Sequence, residues 1–228
     1  MHIVFSCTNG GSLWLGGIGA SGQAKVLVNN GVSAILAGAA KPPPARDPLI
    51  ADLGTFDGTG LINGTVSLKA LLARFKKILE LLMQGKGILI SCRNGAHRSS
   101  TIMVLLLIWL TGESAQVLSE YLWVCRNIVD LQSFHPGAVR RGEVVESTTL
   151  TPLDWLKIVE PEVLADREKC ERAFLKTLEL NEVLERSEWE ERALSMGFQK
   201  HEEMHGFLFS CVTGTVLTLD FFLLLFIF

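Results

Sequence analysis

Apolar residues form three kinds of pattern along this chain, and each pattern predicts a different kind of secondary-structure element. Four short runs have the length of buried strands; they lie at residues 2–7, 12–15, 32–36 and 88–90. Over residues 67–84 apolar side chains recur every three or four positions, which predicts an amphipathic helix that ends at Gly85. Residues 98–110 are apolar on nearly every side but too short to span about 30 Å of hydrocarbon. We therefore predict a helix buried against the sheet.

The succession of strands and helices predicts an α/β fold. We expect a central, twisted, mostly parallel sheet of four to five strands flanked by helices, because parallel strands are joined through helical crossovers. The predicted first domain covers residues 1–138, and a linker follows at 139–152. Residues 153–205 are rich in Glu, Arg and Leu, which predicts a charged helical extension on the C-terminal side.

The final segment, residues 206–228, is predicted to form an apolar tail. From Phe207 onward it is almost unbroken in its apolar character and long enough to cross a bilayer. One interpretation is attachment to a membrane through this tail, with Asp220 as a costly charge inside it. The other interpretation is a tail that is buried against protein.

The amino-acid composition argues against several classes of function. With 228 residues and 48% hydrophobic content, the chain can bury a sizeable core. A net charge of -3 without a basic stripe argues against a nucleic-acid partner. The five cysteines show neither a CxxC pair nor zinc-ligand spacing, so we expect no metal site. Since the start of the chain does not resemble a signal peptide, we expect a reducing, cytoplasmic setting.

The segment with the strongest functional signal is GILISCRNGAHRSST, residues 87–101. Its apolar start predicts a strand, its middle a loop of small and polar residues, and its end a helix that begins near Arg98. The backbone N–H groups of such a loop and of the first helical turn lack intrahelical partners, and the helix dipole favours negative charge there. We therefore expect an anion site between Cys92 and Arg98.

Side chains of this segment would give the site its chemistry. A thiol surrounded by N–H donors loses its proton more readily, so Cys92 is the candidate nucleophile. The guanidinium of Arg98 can hold two oxygens of one phosphate. Backbone N–H groups between them would bind the other oxygens, and Arg93 and His97 would form the rim of the pocket. The expected substrate-binding set is Arg93, Asn94, Gly95, Ala96, His97 and Arg98.

The string CRNGAHRSS, a Cys-x5-Arg followed by Ser, resembles the signature of the cysteine-dependent protein tyrosine phosphatases, and in particular their dual-specificity branch. SLWLGG followed by GVSAIL also resembles the start of that branch. The resemblance implies hydrolysis of phosphotyrosine and of phosphoserine or phosphothreonine in proteins through a phospho-cysteine, without a metal or another cofactor. It further implies that Ser99 hydrogen-bonds the sulfur and eases its departure.

The same resemblance implies a carboxylic acid, carried on a loop before the cysteine, that protonates the departing oxygen. Two residues of IADLGTFDGTG qualify, Asp57 and Asp52. Asp57 is favoured because its separation from Cys92 along the chain is closer to the usual one. Gly58 and Gly60 would allow the loop around it to move.

Two alternatives follow from the same residues. The family usually has His immediately before the Cys, and this chain has Ser91, which favours a phosphate-binding protein with weak or no catalysis. The second alternative keeps the chemistry but acts on a phosphoinositide or an RNA 5′-phosphate. Residues 17–22 also match the G-x-G-x-x-G pattern of dinucleotide binding, but no acid follows at the end of the next strand to hold a ribose, so we interpret them as a loop.

Overall fold

The computed structural model describes residues 1–39, 48–133 and 150–171, and the backbone alone of 172–179, 199–203, 206–210 and 216–218. The strands of its main sheet are β1 (His2–Ser6), β2 (Ser12–Gly17), β3 (Val32–Ala37), β4 (Ala51–Thr55) and β5 (Gly87–Cys92). Their order is β1-β2-β5-β3-β4, and all neighbours in it are parallel except β1 and β2. The predicted α/β class with a mostly parallel sheet is confirmed.

Helices cover both faces of this sheet. They are α1 (Ile18–Ser21), α2 (Ala24–Asn29), α3 (Gly58–Ile62), α4 (Leu68–Met83), α5 (Arg98–Thr111), α6 (Ala115–Cys125) and α7 (Pro152–Glu179). Local side chains set several of their ends. The hydroxyls of Ser67 and Ser114 accept hydrogen bonds from the first turns of α4 and α6. Gly112 ends α5 in the left-handed conformation, at φ 78°.

Strand β5 lies at the centre of the sheet and is buried along its whole length. Ile88 and Ile90 belong to the larger core, which contains the inward faces of α4 and α5, whereas Leu89 packs on the opposite side with α2. Because side chains alternate along a strand, Cys92 lies on the face of Ile88 and Ile90, toward α5. Ser91 consequently lies on the other face, away from the thiol.

Helix α5 is apolar all round because other elements enclose it. It contacts β5, α3, α6 and α7. The centroid of its Trp109 ring lies 6.2 Å from the centroid of the Phe75 ring on α4. The indole N–H of Trp109 donates to Asp166 on α7 at 3.1 Å. The prediction of a helix buried against the sheet is therefore confirmed, and α5 lies in the middle of the core.

Helix α7 confirms a C-terminal helix, and its first half packs on α5. Leu153, Trp155, Leu156 and Val163 lie in the same core as the sheet. Glu160 accepts a hydrogen bond from the N–H of Ala115 at 2.8 Å, so α7 also supplies a partner for the first turn of α6. The part of the predicted linker at 139–149 lies outside the described residues.

Beyond α7 the secondary structure differs from the prediction. Residues 180–198 lie outside the described residues, but Gln199–Glu203 forms a strand, β6, where a helix was predicted. Strand β6 pairs antiparallel with β7 (Gly206–Ser210), and β7 pairs with β8 (Val216–Thr218). Backbone pairing with a neighbouring apolar strand outweighs the weak helix preference of so short a stretch.

The predicted apolar tail contains β7 and β8, and its remaining residues lie outside those that the structure describes. In the described part of the chain, no helix combines the length and the apolar character needed to cross a bilayer.

Candidate active site

Residues 93–97 form the loop between the end of β5 and the start of α5, and we call it the phosphate loop. Its sharp curvature requires Gly95, which has a φ of 73° in the left-handed region. A Cβ at Gly95 would lie 2.6 Å from the carbonyl carbon of Gly16, at the end of β2. The loop therefore leans directly on the backbone of β2, and only glycine fits at this contact.

The carbonyl groups of residues 93–96 each accept a hydrogen bond from a donor outside the phosphate loop. Main-chain N–H groups donate to the carbonyl of Arg93 at 3.2 Å and to that of Ala96 at 3.0 Å. Arg126 donates to the carbonyls of Asn94 and Gly95, at 3.0 and 3.1 Å. The C=O and N–H bonds of a trans peptide point in opposite directions, so the N–H groups of residues 94–97 point inward.

The sulfur of Cys92 is buried at the base of the loop. The N–H of Gly95 donates to Cys92 Sγ at 3.2 Å, and the hydroxyl of Ser99 donates to the same atom at 3.1 Å. A ring of N–H donors above a thiol can hold a tetrahedral oxyanion and a thiolate. Donors of the loop and of α5 therefore converge on Cys92 Sγ.

Two opposing effects act on the pKa of Cys92. Burial raises it, because a thiolate loses hydration in a buried site. Hydrogen bonds from the Ser99 hydroxyl and from the N–H groups of Ser99, Gly95 and Asn94 lower it, and together they outweigh burial. The net result is a pKa below the ordinary value of a cysteine, which favours the nucleophilic thiolate.

We expect Ser99→Ala to raise the pKa of Cys92, because it removes a hydrogen bond that favours the thiolate. Alkylation by iodoacetamide near neutral pH should then slow by roughly tenfold, the order expected for one hydrogen bond to a charged group. The measurement is the alkylation rate as a function of pH. Ser100→Ala is the matched control, since Ser100 is equally buried on α5 but its hydroxyl has no hydrogen-bond partner among the described residues. Equal profiles for the two variants would contradict the role of Ser99.

The side chain of Arg98, three-quarters buried, closes the loop and lies beside Asp57. Arg98 Nη1 is 3.8 Å from Asp57 Oδ1. Asp57 is not on an open loop, as the sequence suggested, but is the N-cap of α3, where it accepts from the N–H of Thr59 at 3.1 Å. A Cβ at Gly58 would lie 2.6 Å from the carbonyl oxygen of Arg98. Gly58 therefore serves close packing of the acid-bearing segment on the start of α5.

Asp52, the second candidate acid, has a different environment. It lies on the edge strand β4, is exposed, and accepts a hydrogen bond from the N–H of Gly54 at 2.8 Å. The donor and the acceptor of that hydrogen bond both lie in β4, so the bond does not connect Asp52 to the phosphate loop. Asp57 is therefore the carboxylate that the fold brings to Arg98.

The two predicted rim residues differ in exposure. Arg93 is exposed, as a rim residue would be, whereas His97 is mostly buried, with Nε2 4.0 Å from Asp130 Oδ2. The N–H of Asp130 donates to the carbonyl of Ala96 at 3.0 Å. The segment after α6 therefore supports the loop through both of these contacts.

The sequence did not predict the three supports of the phosphate loop, which are Asp130, Arg126 and Ile18. Arg126, to which the sequence analysis gave no role at the site, contacts the loop. Residues 17–22, interpreted as a loop, contain α1, whose first N–H group, from Ile18, donates to the carbonyl of Arg93. A signal existed for Arg126, since it is the only charged residue between Glu120 and Asp130.

Within the described residues, no group of three or more His, Cys, Asp or Glu side chains is arranged to hold a metal ion.

Neither a protein-family model nor a curated protein sequence matches this chain.

The fold, in contrast, is similar to solved structures of dual-specificity phosphatases. The crystal structure of human DUSP28 is 19% identical, with a TM-score of 0.52 over 67% of this chain and 94% of that chain. DUSP15 is 18% identical, with a TM-score of 0.53 over 75% and 95%, and PTPMT1 is 18% identical, with a TM-score of 0.51 over 74% and 98%. The chain therefore has the fold of the dual-specificity, cysteine-dependent phosphatases.

Proposed function

We propose that this protein is a phosphatase of phosphoproteins that acts through a phospho-cysteine intermediate. The observation that carries the proposal is the convergence of the Ser99 hydroxyl and of main-chain N–H groups, those of Asn94 and Gly95 among them, on Cys92, a thiol whose pKa is lowered. A buried thiolate under a preorganised oxyanion site is suited to attack on a phosphate monoester. We assign the role of proton donor to the protonated carboxyl group of Asp57, whose Oδ1 lies 3.8 Å from Arg98 Nη1.

In the first step, the thiolate of Cys92 attacks phosphorus and forms a P–S bond while the P–O bond to the substrate breaks. Asp57, in its protonated form, gives its proton to the departing oxygen. The N–H groups of residues 94–97 and the guanidinium of Arg98 bind the other phosphate oxygens. These contacts stabilise the transition state because the donors are already oriented before the reaction.

In the second step, a water molecule attacks phosphorus and the P–S bond breaks. Asp57, now a carboxylate, accepts a proton from this water. The hydroxyl of Ser99, which donates to Cys92 Sγ at 3.1 Å, stabilises the thiolate as it leaves. Inorganic phosphate is released and the thiolate is restored.

We propose phosphotyrosine together with phosphoserine or phosphothreonine in proteins as the substrates, with exposed Arg93 at the rim to attract the phosphate dianion. We also propose a cytoplasmic location, because a thiol of low pKa is easily oxidised and needs a reducing compartment. Membrane attachment through residues 206–228 remains a further proposal.

The test is phosphate release by the purified full-length chain from four substrates at equal concentration: a phosphotyrosine peptide, a phosphothreonine peptide, a short-chain phosphoinositide and a 5′-phosphorylated RNA. We expect turnover of both peptides, with a labelled phospho-cysteine recovered by rapid acid quenching. Turnover of the lipid or the RNA alone would overturn the proposed substrate class. Binding of inorganic phosphate without turnover of any substrate would instead establish a phosphate-binding protein, the alternative that Ser91 favours.

A further inference from the structure

Arg126 contacts the phosphate loop from outside. It follows the last turn of α6, where its own N–H donates to the carbonyl of Leu122 at 2.9 Å. Its guanidinium then reaches 31–32 residues back along the chain, where Nε donates to the carbonyl of Gly95 at 3.1 Å and Nη2 to that of Asn94 at 3.0 Å. Two neighbouring carbonyls are thus held by one rigid, planar group.

The two carbonyls that Arg126 holds flank the most adaptable residue of the loop. Gly95 has no Cβ and can adopt either sign of φ, so the peptides on its two sides are the ones most free to rotate. Holding the carbonyls of Asn94 and Gly95 outward keeps the N–H groups of Gly95 and Ala96 inward. The first of these N–H groups is the one that donates to Cys92 Sγ at 3.2 Å.

Arg126 differs in kind from the other supports of the loop. The carbonyls of Arg93 and Ala96 are held by main-chain N–H groups of Ile18 and Asp130, which no side-chain replacement removes. The Arg126 contacts come from a side chain. The contribution of these two hydrogen bonds can therefore be measured by substituting a residue that lies outside the loop sequence.

The charge of Arg126 also acts on the site. Burial lowers the pKa of Arg126, and the thiolate of Cys92 raises it. This attraction is mutual, so the guanidinium favours the ionised form of Cys92. The same charge also acts on His2, whose pKa is lowered by burial and by Arg126.

We infer that Arg126 is a positioning residue: it holds two peptide groups of the phosphate loop with their N–H bonds toward the anion, and so sets oxyanion affinity and Cys92 reactivity without touching the substrate. This inference rests on the proposed anion site but does not require turnover.

The test compares Arg126→Met and Arg126→Lys with the unmodified full chain, with inorganic phosphate as the probe in calorimetric titrations. We expect Arg126→Met to weaken phosphate binding by about tenfold to a hundredfold, as for the loss of two hydrogen bonds that orient charge-binding donors. Arg126→Lys keeps the charge but cannot span both carbonyls, so its phosphate affinity should fall between the two.

The rate of iodoacetamide alkylation of Cys92 as a function of pH separates the effect of the positive charge of Arg126 from the effect of its two hydrogen bonds. Arg126→Met should shift the alkylation profile to higher pH, whereas Arg126→Lys should leave it closer to that of the unmodified chain. Lys77→Met is the matched control, because it removes a positive charge from the exposed face of α4, where Lys77 pairs with Glu80. It should change neither measurement.

Unchanged phosphate affinity and an unchanged alkylation profile in folded Arg126→Met would overturn the inference. If that variant does not fold, Arg126→Lys decides, since a phosphate affinity equal to that of the unmodified chain would also overturn it. If the unmodified chain turns over no substrate and the variants bind phosphate more weakly, the positioning role is supported and the proposed phosphatase activity is refuted. Turnover that Arg126→Met leaves unaltered would support the phosphatase and refute the positioning role.

Discussion

Replacing Cys92 with serine is expected to lower kcat/KM for a phosphotyrosine peptide by roughly 10⁴- to 10⁶-fold, as for the loss of a nucleophile in other enzymes. The serine hydroxyl is not ionised at neutral pH, so it cannot attack phosphorus as the thiolate does. The N–H groups of residues 94–97 stay in place, because their orientation depends on contacts of the loop with Ile18, Arg126 and Asp130. Phosphate binding should therefore persist while turnover is lost.

Cys170→Ser is the matched control for this experiment. Cys170 is a partly buried cysteine on α7, and burial raises its pKa, so it lacks the features that activate Cys92. We expect this variant to keep the activity of the unmodified chain. Activity retained in Cys92→Ser, or lost equally in both variants, would show that the thiol of Cys92 is not the nucleophile.

Asp57→Asn is expected to reduce kcat for a phosphotyrosine peptide by about 10²- to 10³-fold, the usual contribution of a general acid. Asparagine cannot donate a proton to the departing oxygen, yet it still serves as an N-cap, so α3 should persist. The loss should be much smaller with an aryl phosphate whose leaving group is a strong acid, because that leaving group departs without a proton. The measurement is the ratio of kcat values for the two substrates.

Asp52→Asn distinguishes the two candidate acids. Asp52 bonds within its own strand segment, whereas Asp57 lies 3.8 Å from the guanidinium of Arg98. We expect Asp52→Asn to show no dependence on the leaving group. A leaving-group effect in Asp52→Asn and none in Asp57→Asn would reverse the assignment.

The elements around the site were predictable because short-range forces determine them. A strand, a tight loop and a helix follow one another between Gly87 and Thr111, and the apolar pattern with the Cys-x5-Arg spacing indicates all three. The capping hydroxyls of Ser67 and Ser114 act within one helical turn. Prediction failed at Gln199–Glu203, where pairing with another strand decided the structure of a short polar segment.

Contacts between distant parts of the chain could not be predicted in the same way. That Asp57 lies near Arg98 could not be read from the chain, because it depends on the packing of the start of α3 on Arg98. The contacts of Arg126 join residues 31–32 positions apart, and nothing in the local pattern specifies which carbonyls an arginine at the end of α6 will meet.

By itself, the sequence determined the strand, the loop and the helix between Gly87 and Thr111, and with them the positions of Cys92 and Arg98 at the two ends of that loop, since periodicity, capping and loop length act over a few residues. The tertiary structure alone decided the strand order β1-β2-β5-β3-β4, the packing of α7 on α5, and the supports that turn the loop amides toward the sulfur. Those features depend on which surfaces meet when the core closes, because each surface is formed by segments far apart in the chain.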